Sequence, residues 1–423
     1  MAATESGQAR IVIIGAGFAG IEVARGLSAA GLPVTLIDRQ NHHLFQPLLY
    51  QVATAALSPA DIAEPIRKML RDCPSVEVVL GEVTGIYKEA RSVALGNGKH
   101  FSYDWLVVAT GATHSYFGHD EWLPFAPGLK TIEDARKIRS RLLLAFEQAE
   151  MSRDPAEQKR LMTIAVIGGG PTGVELAGSI AELARYTLSK DFHRIRAETA
   201  TVLLLEAGPR ILTAFPEDLA SYAQKKLATL GVTLRTNTPV ERITANSVTA
   251  KGEDIPVGFA IWAAGVTASP IGKMLGVPTD RAGRVSANRD LSVPGLENVY
   301  VLGDLALTPD ENGKPLPGLA QVAKQEGIYL GHALAKKILH GETAPPFTFH
   351  NRGNTAIIGR HAAVFDFGWW RIRGWFAWAF WALIHVYLLV GFQHRLMVAV
   401  QWLWRYVTYE RGSRLIAENT SER

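Results

Sequence analysis

Two glycine-rich runs carry the most readable chemistry in this chain. Gly15-Ala16-Gly17-Phe18-Ala19-Gly20 follows the apolar stretch Ile11–Ile14, and Gly168-Gly169-Gly170-Pro171-Thr172-Gly173 follows Ile164–Ile167. Each spacing predicts a strand, a tight turn and the start of a helix. The first glycine permits the turn, the second lets the main chain approach a pyrophosphate, and the third lets the helix pack on the strand. The helix N-terminus then offers free N–H groups and partial positive charge to phosphate oxygens. In each half a second strand ends in a carboxylate: Val34–Ile37 at Asp38, and Thr201–Leu205 at Glu206. Asp38 stands 18 residues past Gly20, near the spacing of an acid that accepts from ribose hydroxyls and repels a 2′-phosphate. Glu206 stands 33 residues past Gly173, and the polar, basic stretch Tyr186–Glu198 accounts for the longer interval. It favours NADH over NADPH, a preference that Arg210 weakens slightly. A glycine run with no ligand is only a tight turn. Strand context and a terminal acid in both halves argue against that reading and imply two dinucleotides, a flavin and a nicotinamide, with electron transfer between them.

The elements that must position these residues repeat. Trp105–Thr110 precedes Gly111, and Phe259–Ala264 precedes Gly265; the two glycines fall 96 and 97 positions after Gly15 and Gly168. Residues 10–115 therefore form one α/β unit and residues 160–265 a second. Val299–Leu302 returns as a strand to Gly303-Asp304 and most simply rejoins the first sheet. The expected fold is α/β, with two Rossmann-like dinucleotide-binding domains, the second inserted in the first, and a C-terminal helical segment. The domain ranges are 1–118 with 295–345, then 119–294, then 346–423. Pro345-Pro346 marks the last boundary, and Phe347–Phe367 alternates as short strands do.

Bulk properties narrow the function classes. With 423 residues and 48% hydrophobic content the chain can bury a large core. Its formal net charge of +4 gives no global pull toward nucleic acid. The one cysteine, Cys73, excludes an internal disulfide, a redox cysteine pair and any multi-cysteine metal site. No metal ligand set is expected; His42 and His43 read as polar loop residues. Met1–Arg10 has no apolar stretch of the secretory kind.

Fingerprint, acid, strand with Thr-Gly and a late Gly-Asp together resemble the two-dinucleotide-domain flavoprotein family. Three finer motifs resemble the type II NADH dehydrogenases within it: His43-Leu44-Phe45-Gln46-Pro47-Leu48-Leu49-Tyr50-Gln51-Val52-Ala53, Gly170-Pro171-Thr172-Gly173-Val174-Glu175, and Ala320-Gln321-Val322-Ala323-Lys324-Gln325. The last matches that family's Ala-Gln-x-Ala-x-Gln quinone motif. The resemblance implies FAD held by Gly15, Gly17, Gly20, Asp38, Thr110, Gly111, Gly303, Asp304 and Gln321. It implies NADH held by Gly168, Gly170, Gly173, Glu206 and Gly265. Gln321 and Gln325 share one helix face at a spacing of four. As amides they can donate and accept at a quinone carbonyl without bringing charge into an apolar site; taken alone they would read as polar surface residues. Glu175 reads as a carboxylate stabilised by a helix N-terminus or, through the resemblance, as a proton-handling group in quinol formation.

The tail completes the picture. Trp369–Trp404 holds seven of the ten tryptophans, and Gly374–Phe392 is 19 residues without a formal charge. That length nominally reaches across a bilayer. Gly374, Gly391, the mid-run His385 and the aromatic stretch Arg395–Tyr406 favour helices lying in the headgroup layer instead. Arg371, Arg373, Arg395, Arg405, Arg411 and Arg414 supply a basic rim. The resemblance implies monotopic attachment, and a homodimer is compatible with it. The implied activity is an NADH:quinone oxidoreductase of a respiratory chain, on the cytoplasmic face of the inner (plasma) membrane, without ion pumping. Disulfide reductases and sulfide:quinone oxidoreductases need a cysteine pair; soluble NADH oxidases and ferredoxin-type reductases leave the tail unexplained. The alternative from another class is a membrane-attached flavoprotein that senses NADH and turns over slowly.

Overall fold

The computed structural model describes residues 9–389, 392–408 and 410–416, without the side chains of residues 392–394 and 405. Residues 1–8, Gly391 and the Arg405 side chain, which entered the readings above, lie outside it. The chain divides into two compact units. One comprises Met1–Leu44, Ala63–Thr113 and Val266–Arg352; the other comprises Phe45–Ile62, His114–Gly265 and Gly353–Arg423. These limits cut the chain elsewhere than a division by ligand does. Val285–Ser286 pairs with Ala306–Leu307, and Leu275, Val285 and Val293 bury in the first unit's core. Compactness and ligand ownership are separate properties.

In the first unit the described residues form a parallel five-stranded sheet, in the order Val299–Val301, Trp105–Val108, Ile11–Ile14, Val34–Asp38, Val76–Leu80. Alternate side chains of a strand point to opposite faces. Ile11 and Ile13 join one apolar cluster with the fingerprint helix Phe18–Ala29, while Val12 and Ile14 join a second cluster on the other face. A strand covered on both sides must be apolar throughout, which is why Ile11–Ile14 carries no polar residue. The long helix Ala320–His340 closes over the fingerprint helix. A Cβ on Gly26 would lie 2.9 Å from the Gly331 Cα, and one on Gly327 would collide with the Ala19 carbonyl. The two helices thus meet backbone to backbone.

The second unit repeats the plan, with a parallel sheet ordered Val232–Arg235, Thr201–Leu205, Thr163–Ile167, Phe259–Trp262. Each unit also carries an antiparallel three-stranded sheet before its last fingerprint-half strand: Val83–Tyr87, Ser92–Leu95 and His100–Ser102 in one, Val240–Ile243, Ser247–Ala250 and Glu253–Pro256 in the other. The helix Pro171–Glu182 runs into a widened turn at Leu183–Thr187 and short turns up to Thr199, which accounts for the long interval before Glu206. A C-terminal antiparallel sheet, Asn354–Gly359, Ala362–Asp366 and Arg371–Gly374, follows. Its first strand lies so near the second fingerprint helix that a Cβ on Gly178 would strike the Ile358 carbonyl.

The tail forms two helices, Trp375–Leu388 and Phe392–Thr408. At 1.5 Å per residue the 14-residue helix is about 21 Å long, against about 30 Å for a bilayer core. Among the described residues no helix is long and apolar enough to cross a membrane. Ala377, Trp381 and His385, spaced by four, face inward; Phe376, Leu383, Tyr387, Leu403, Trp404 and Val407 are exposed. The Trp381 ring stacks on His385 at 4.2 Å and on Trp402 at 5.2 Å. Trp402 Nε1 donates to Gln51 Oε1 at 3.0 Å. The basic rim is smaller than its sequence count. Arg411 is 3% exposed: it donates to the Thr54 and Ser179 carbonyls and pairs with Glu182 at 3.6 Å, so its charge is met inside the fold. Arg371 pairs with Asp218, and Arg414 with Asp191.

Candidate active site

The first glycine turn sits at the carboxyl edge of its sheet. Gly15 has φ +101°, and a Cβ there would lie 2.5 Å from the Ala109 carbonyl oxygen. A Cβ on Gly20 would collide with the Gly15 carbonyl, whereas Gly17 faces open space. The Ala16 main chain is held on both sides of its Cα. Its N–H donates to Asp38 Oδ2 at 2.6 Å, and its carbonyl accepts from His43 Nδ1 at 3.0 Å. That bond requires the proton on Nδ1. Burial pushes the His43 pKa down, so the ring stays neutral, and Phe18 packs its ring edge-on at 5.0 Å. His43 is therefore no loop residue: His42–Leu44 is a short strand paired with Ala63–Pro65, and His43 is buried. Asp38 Oδ1 accepts from the Gln40 N–H at 2.7 Å. A carboxylate has about four lone-pair sites, so Asp38 keeps capacity for a ribose.

Thr110 and Gly111 follow the strand Trp105–Val108. Among the described residues the buried Thr110 hydroxyl oxygen has no hydrogen-bond partner, an unmet demand of the kind a ligand satisfies. Gly303 leaves the neighbouring strand with φ +66°, and Asp304 follows it. The open backbone at Gly17, the turn that tolerates no Cβ and the orphaned Thr110 hydroxyl together fit a dinucleotide. Gln321 and Gln325 lie half-buried in the first turns of Ala320–His340, as their spacing predicts. Gln321 Oε1 accepts from the Arg352 N–H at 3.0 Å. Gln325 accepts from the His350 N–H and donates to the His350 carbonyl, both at 3.0 Å. The amides clamp the segment that leaves this unit.

The second turn repeats the first. Gly168 has φ +109°, a Cβ on Gly173 would collide with the Gly168 carbonyl, and Gly170 faces open space. The Gly169 N–H donates to Glu206 Oε2 at 2.6 Å, and its carbonyl accepts from the Leu212 N–H at 2.8 Å. Glu206 Oε1 accepts from the Gly208 N–H at 2.6 Å. Arg210 donates to the Phe215 and Thr213 carbonyls at 2.9 and 3.0 Å, so its guanidinium is engaged within its own loop. A Cβ on Gly265 would lie 2.7 Å from the Ser115 carbonyl, which also accepts from Trp262 Nε1.

Glu175 lies in the second turn of the fingerprint helix Pro171–Glu182. Among the described residues its one hydrogen-bond partner is the Ile357 N–H, at a long 3.5 Å. Desolvation pushes its pKa up to about 8, outweighing that bond. The helix N-terminus does not hold it ionised, because the carboxyl lies beyond the first turn, where that effect is strongest. Ser179 and Glu182 continue the same stripe: Ser179 receives Arg411, and Glu182 accepts from the Arg360 N–H. Sequence reasoning missed the buried contacts of His43, of Arg411 and of Glu326, whose oxygens accept from the Gly303 N–H and the Thr308 hydroxyl. Each reads locally as an ordinary polar residue of a loop, helix or tail.

Comparison with known proteins agrees with this geometry. Residues 9–327 match the pyridine nucleotide-disulphide oxidoreductase family model. The chain is 42% identical to the type II NADH:quinone oxidoreductase NdhA of Mycobacterium tuberculosis, covering 97% of this chain and 90% of that protein. It is 30% identical to the mitochondrial internal alternative NAD(P)H-ubiquinone oxidoreductase A1 of Arabidopsis thaliana, covering 96% and 86%. The structure of NDH2 from Plasmodium falciparum in complex with NADH shares the fold, with TM-score 0.89 at 21% identity over 97% of this chain and 100% of that one. With its lone Cys73 the chain lacks the cysteine pair that a disulphide reaction needs. It belongs to the pyridine nucleotide-disulphide oxidoreductase family and, within it, to the type II NADH:quinone oxidoreductases.

Proposed function

We propose that this chain oxidises NADH and reduces a membrane quinone through a bound FAD, as a membrane-associated NADH:quinone oxidoreductase. The observation that carries the reading is the repeated turn: Ala16 and Gly169, each held by a strand-terminal carboxylate beside a glycine open to ligand. FAD, when bound, supplies the hydride acceptor and the two-electron store shared by the two half-reactions. Residues 1–118 and 295–345 serve that cofactor, through Gly15, Gly17, Gly20, Asp38, Thr110, Gly111, Gly303, Asp304 and Gln321. Residues 119–294 bind NADH, through Gly168, Gly170, Gly173, Glu206 and Gly265. Gln321 and Gln325 orient the quinone carbonyls.

The overall reaction, NADH + H⁺ + quinone giving NAD⁺ and quinol, consumes one proton beyond the hydride. Glu175 holds that proton at its carboxyl, because a half-buried acid that desolvation raises to a pKa of about 8 is protonated at neutral pH. The chemistry includes no ion translocation. Residues 346–423 lay their exposed aromatic face in the headgroup layer. The side is the cytoplasmic one, where NADH is available, and part of the same face serves a second copy of the chain.

Anaerobic stopped-flow absorbance tests the reading. NADH should bleach the flavin band, and a soluble quinone should restore it at a rate that sustains turnover. Bleaching with recovery too slow for turnover would instead favour an NADH-sensing flavoprotein. A flavin-replete sample that NADH leaves unbleached would remove the nicotinamide assignment.

A further inference from the structure

Among the described residues Glu326 is the most deeply buried carboxyl of the first unit, at 1% exposure, and neither half-reaction uses it. It lies on the helix Ala320–His340, five residues past Gln321 and on a different face. Its two oxygens reach both ends of one short turn. Oε2 accepts from the Gly303 N–H at 2.6 Å, and Oε1 accepts from the Thr308 hydroxyl at 2.9 Å. Thr308 is itself buried.

The turn so bracketed contains Asp304. Gly303, at φ +66°, is confined on its other side as well: a Cβ there would sit 3.3 Å from the Ala323 Cβ, one helical turn before Glu326. Directly after Glu326, Gly327 presses on the Ala19 carbonyl of the fingerprint helix. One stretch of helix, Ala323–Gly327, therefore sets the Gly303-Asp304 turn and the fingerprint helix together. Upstream the turn is anchored by the Leu302 N–H, which donates to the Val108 carbonyl at 3.1 Å, two residues before the orphaned Thr110 hydroxyl.

We propose that Glu326 is a positioning residue for the flavin nucleotide: by bridging Gly303 and Thr308 it fixes Asp304 in the orientation that meets the cofactor. The inference rests on the assignment of FAD to this half. The bridge depends on hydrogen-bond geometry rather than on charge. Burial raises the carboxyl's pKa to about 7, against the Gly303 and Thr308 hydrogen bonds that favour its ionised form. A glutamine keeps both contacts: its carbonyl oxygen accepts from Gly303, and its NH₂ donates to the Thr308 oxygen once that hydroxyl turns. An alanine removes both and takes the acceptor from the part-buried Gly303 N–H and from the buried Thr308 hydroxyl.

Flavin release from the purified holoenzyme tests this, followed as the rise of free-flavin fluorescence after dilution. E326A should release FAD roughly tenfold to a hundredfold faster than the parent, the loss expected when a buried donor is orphaned. E326Q should stay within about threefold of it. The NADH dissociation constant, measured on the same samples, should change by less than about twofold, as for a distant site. If E326A does not fold, T308V removes one contact only and should speed release about two- to tenfold. Unchanged release in E326A, or in T308V, overturns the proposal. So does equally fast release in E326A and E326Q, which would make charge the determinant. A parent protein that carries no FAD and takes none up defeats the flavin assignment itself, and the proposal with it.

Discussion

The two glycine turns solve one problem twice and are then closed over differently. At the backbone the solutions coincide: the residue after the first glycine is held by a carboxylate on its N–H and a donor on its carbonyl. The donor is the His43 ring in the first half and the Leu212 N–H in the second. What covers the helix differs. Over Phe18–Ala29 lies another helix, joined through Gly26, Gly327 and Gly331 and bearing two glutamines. Over Pro171–Glu182 lies the strand Asn354–Gly359, joined through Gly178, and here desolvation raises the pKa of half-buried Glu175. A helix cover presents neutral amides beside its turn, while a strand cover leaves an acid desolvated. Specialisation after the apparent duplication therefore resides in the cover, not in the turn.

Exchanging the third glycine of each turn challenges the comparison most severely. G20A and G173A each force a Cβ into a carbonyl oxygen, so ligand affinity in the affected half should fall by more than roughly tenfold. Flavin content and NADH binding, measured on both variants, should fail separately: G20A losing flavin, G173A losing NADH while remaining yellow. A G173A protein that loses flavin instead would reverse the assignment of the halves.

Removing a carboxylate should come next. E206A orphans the Gly169 and Gly208 N–H groups and removes the ribose acceptor, so NADH should bind roughly tenfold to a hundredfold more weakly, with flavin retained. Isothermal titration of the oxidised enzyme with NAD⁺, compared with the parent, measures this. No change would mean that the carboxylate serves only the turn.

The covers are separated by pH. Burial raises Glu175 from 4.5 to about 8, so the folded chain holds a proton there that the unfolded chain has already released. That contribution to stability is whole below pH 4.5 and is lost as pH rises through 8. E175Q removes the loss, so its denaturation midpoint should gain on the parent's between pH 5 and pH 8. Glu326 acts in the same direction but is present in both proteins and cancels in the difference. Parallel midpoints across that range would show that Glu175 is solvated after all.

The smallest effect belongs to His43. H43A removes one neutral hydrogen bond from the Ala16 carbonyl, and FAD release should quicken about two- to tenfold. The second half needs no side chain for this purpose, so H43A should leave NADH affinity unaltered. A change in NADH affinity would show the two turns to be coupled.

Much of this protein was legible in its residues because the decisive signals are local. A glycine run after an apolar strand needs no distant information: the turn fails with any Cβ, and the strand's continuous apolarity follows from burial on both faces. The duplication, the return of Val299–Leu302 to the first sheet and the helical face of Gln321 and Gln325 came from spacing alone. Misjudged were residues whose partners lie far along the chain. His43 resembled a loop histidine because its acceptor, Ala16, is 27 positions away. Arg411 counted as rim charge because Thr54 and Ser179, 357 and 232 positions distant, accept its hydrogen bonds only once folded.

Sequence by itself determined the two turns, their terminal acids, the α/β plan and the absence of a cysteine pair, since each depends on residue type at short range. Tertiary structure alone decided which polar groups lose water. Glu175 and Glu326 look like any other surface glutamates in the chain, and only the strand or turn packed against them raises their pKa. Desolvation is a property of what lies above a side chain, and neighbours in sequence do not encode it.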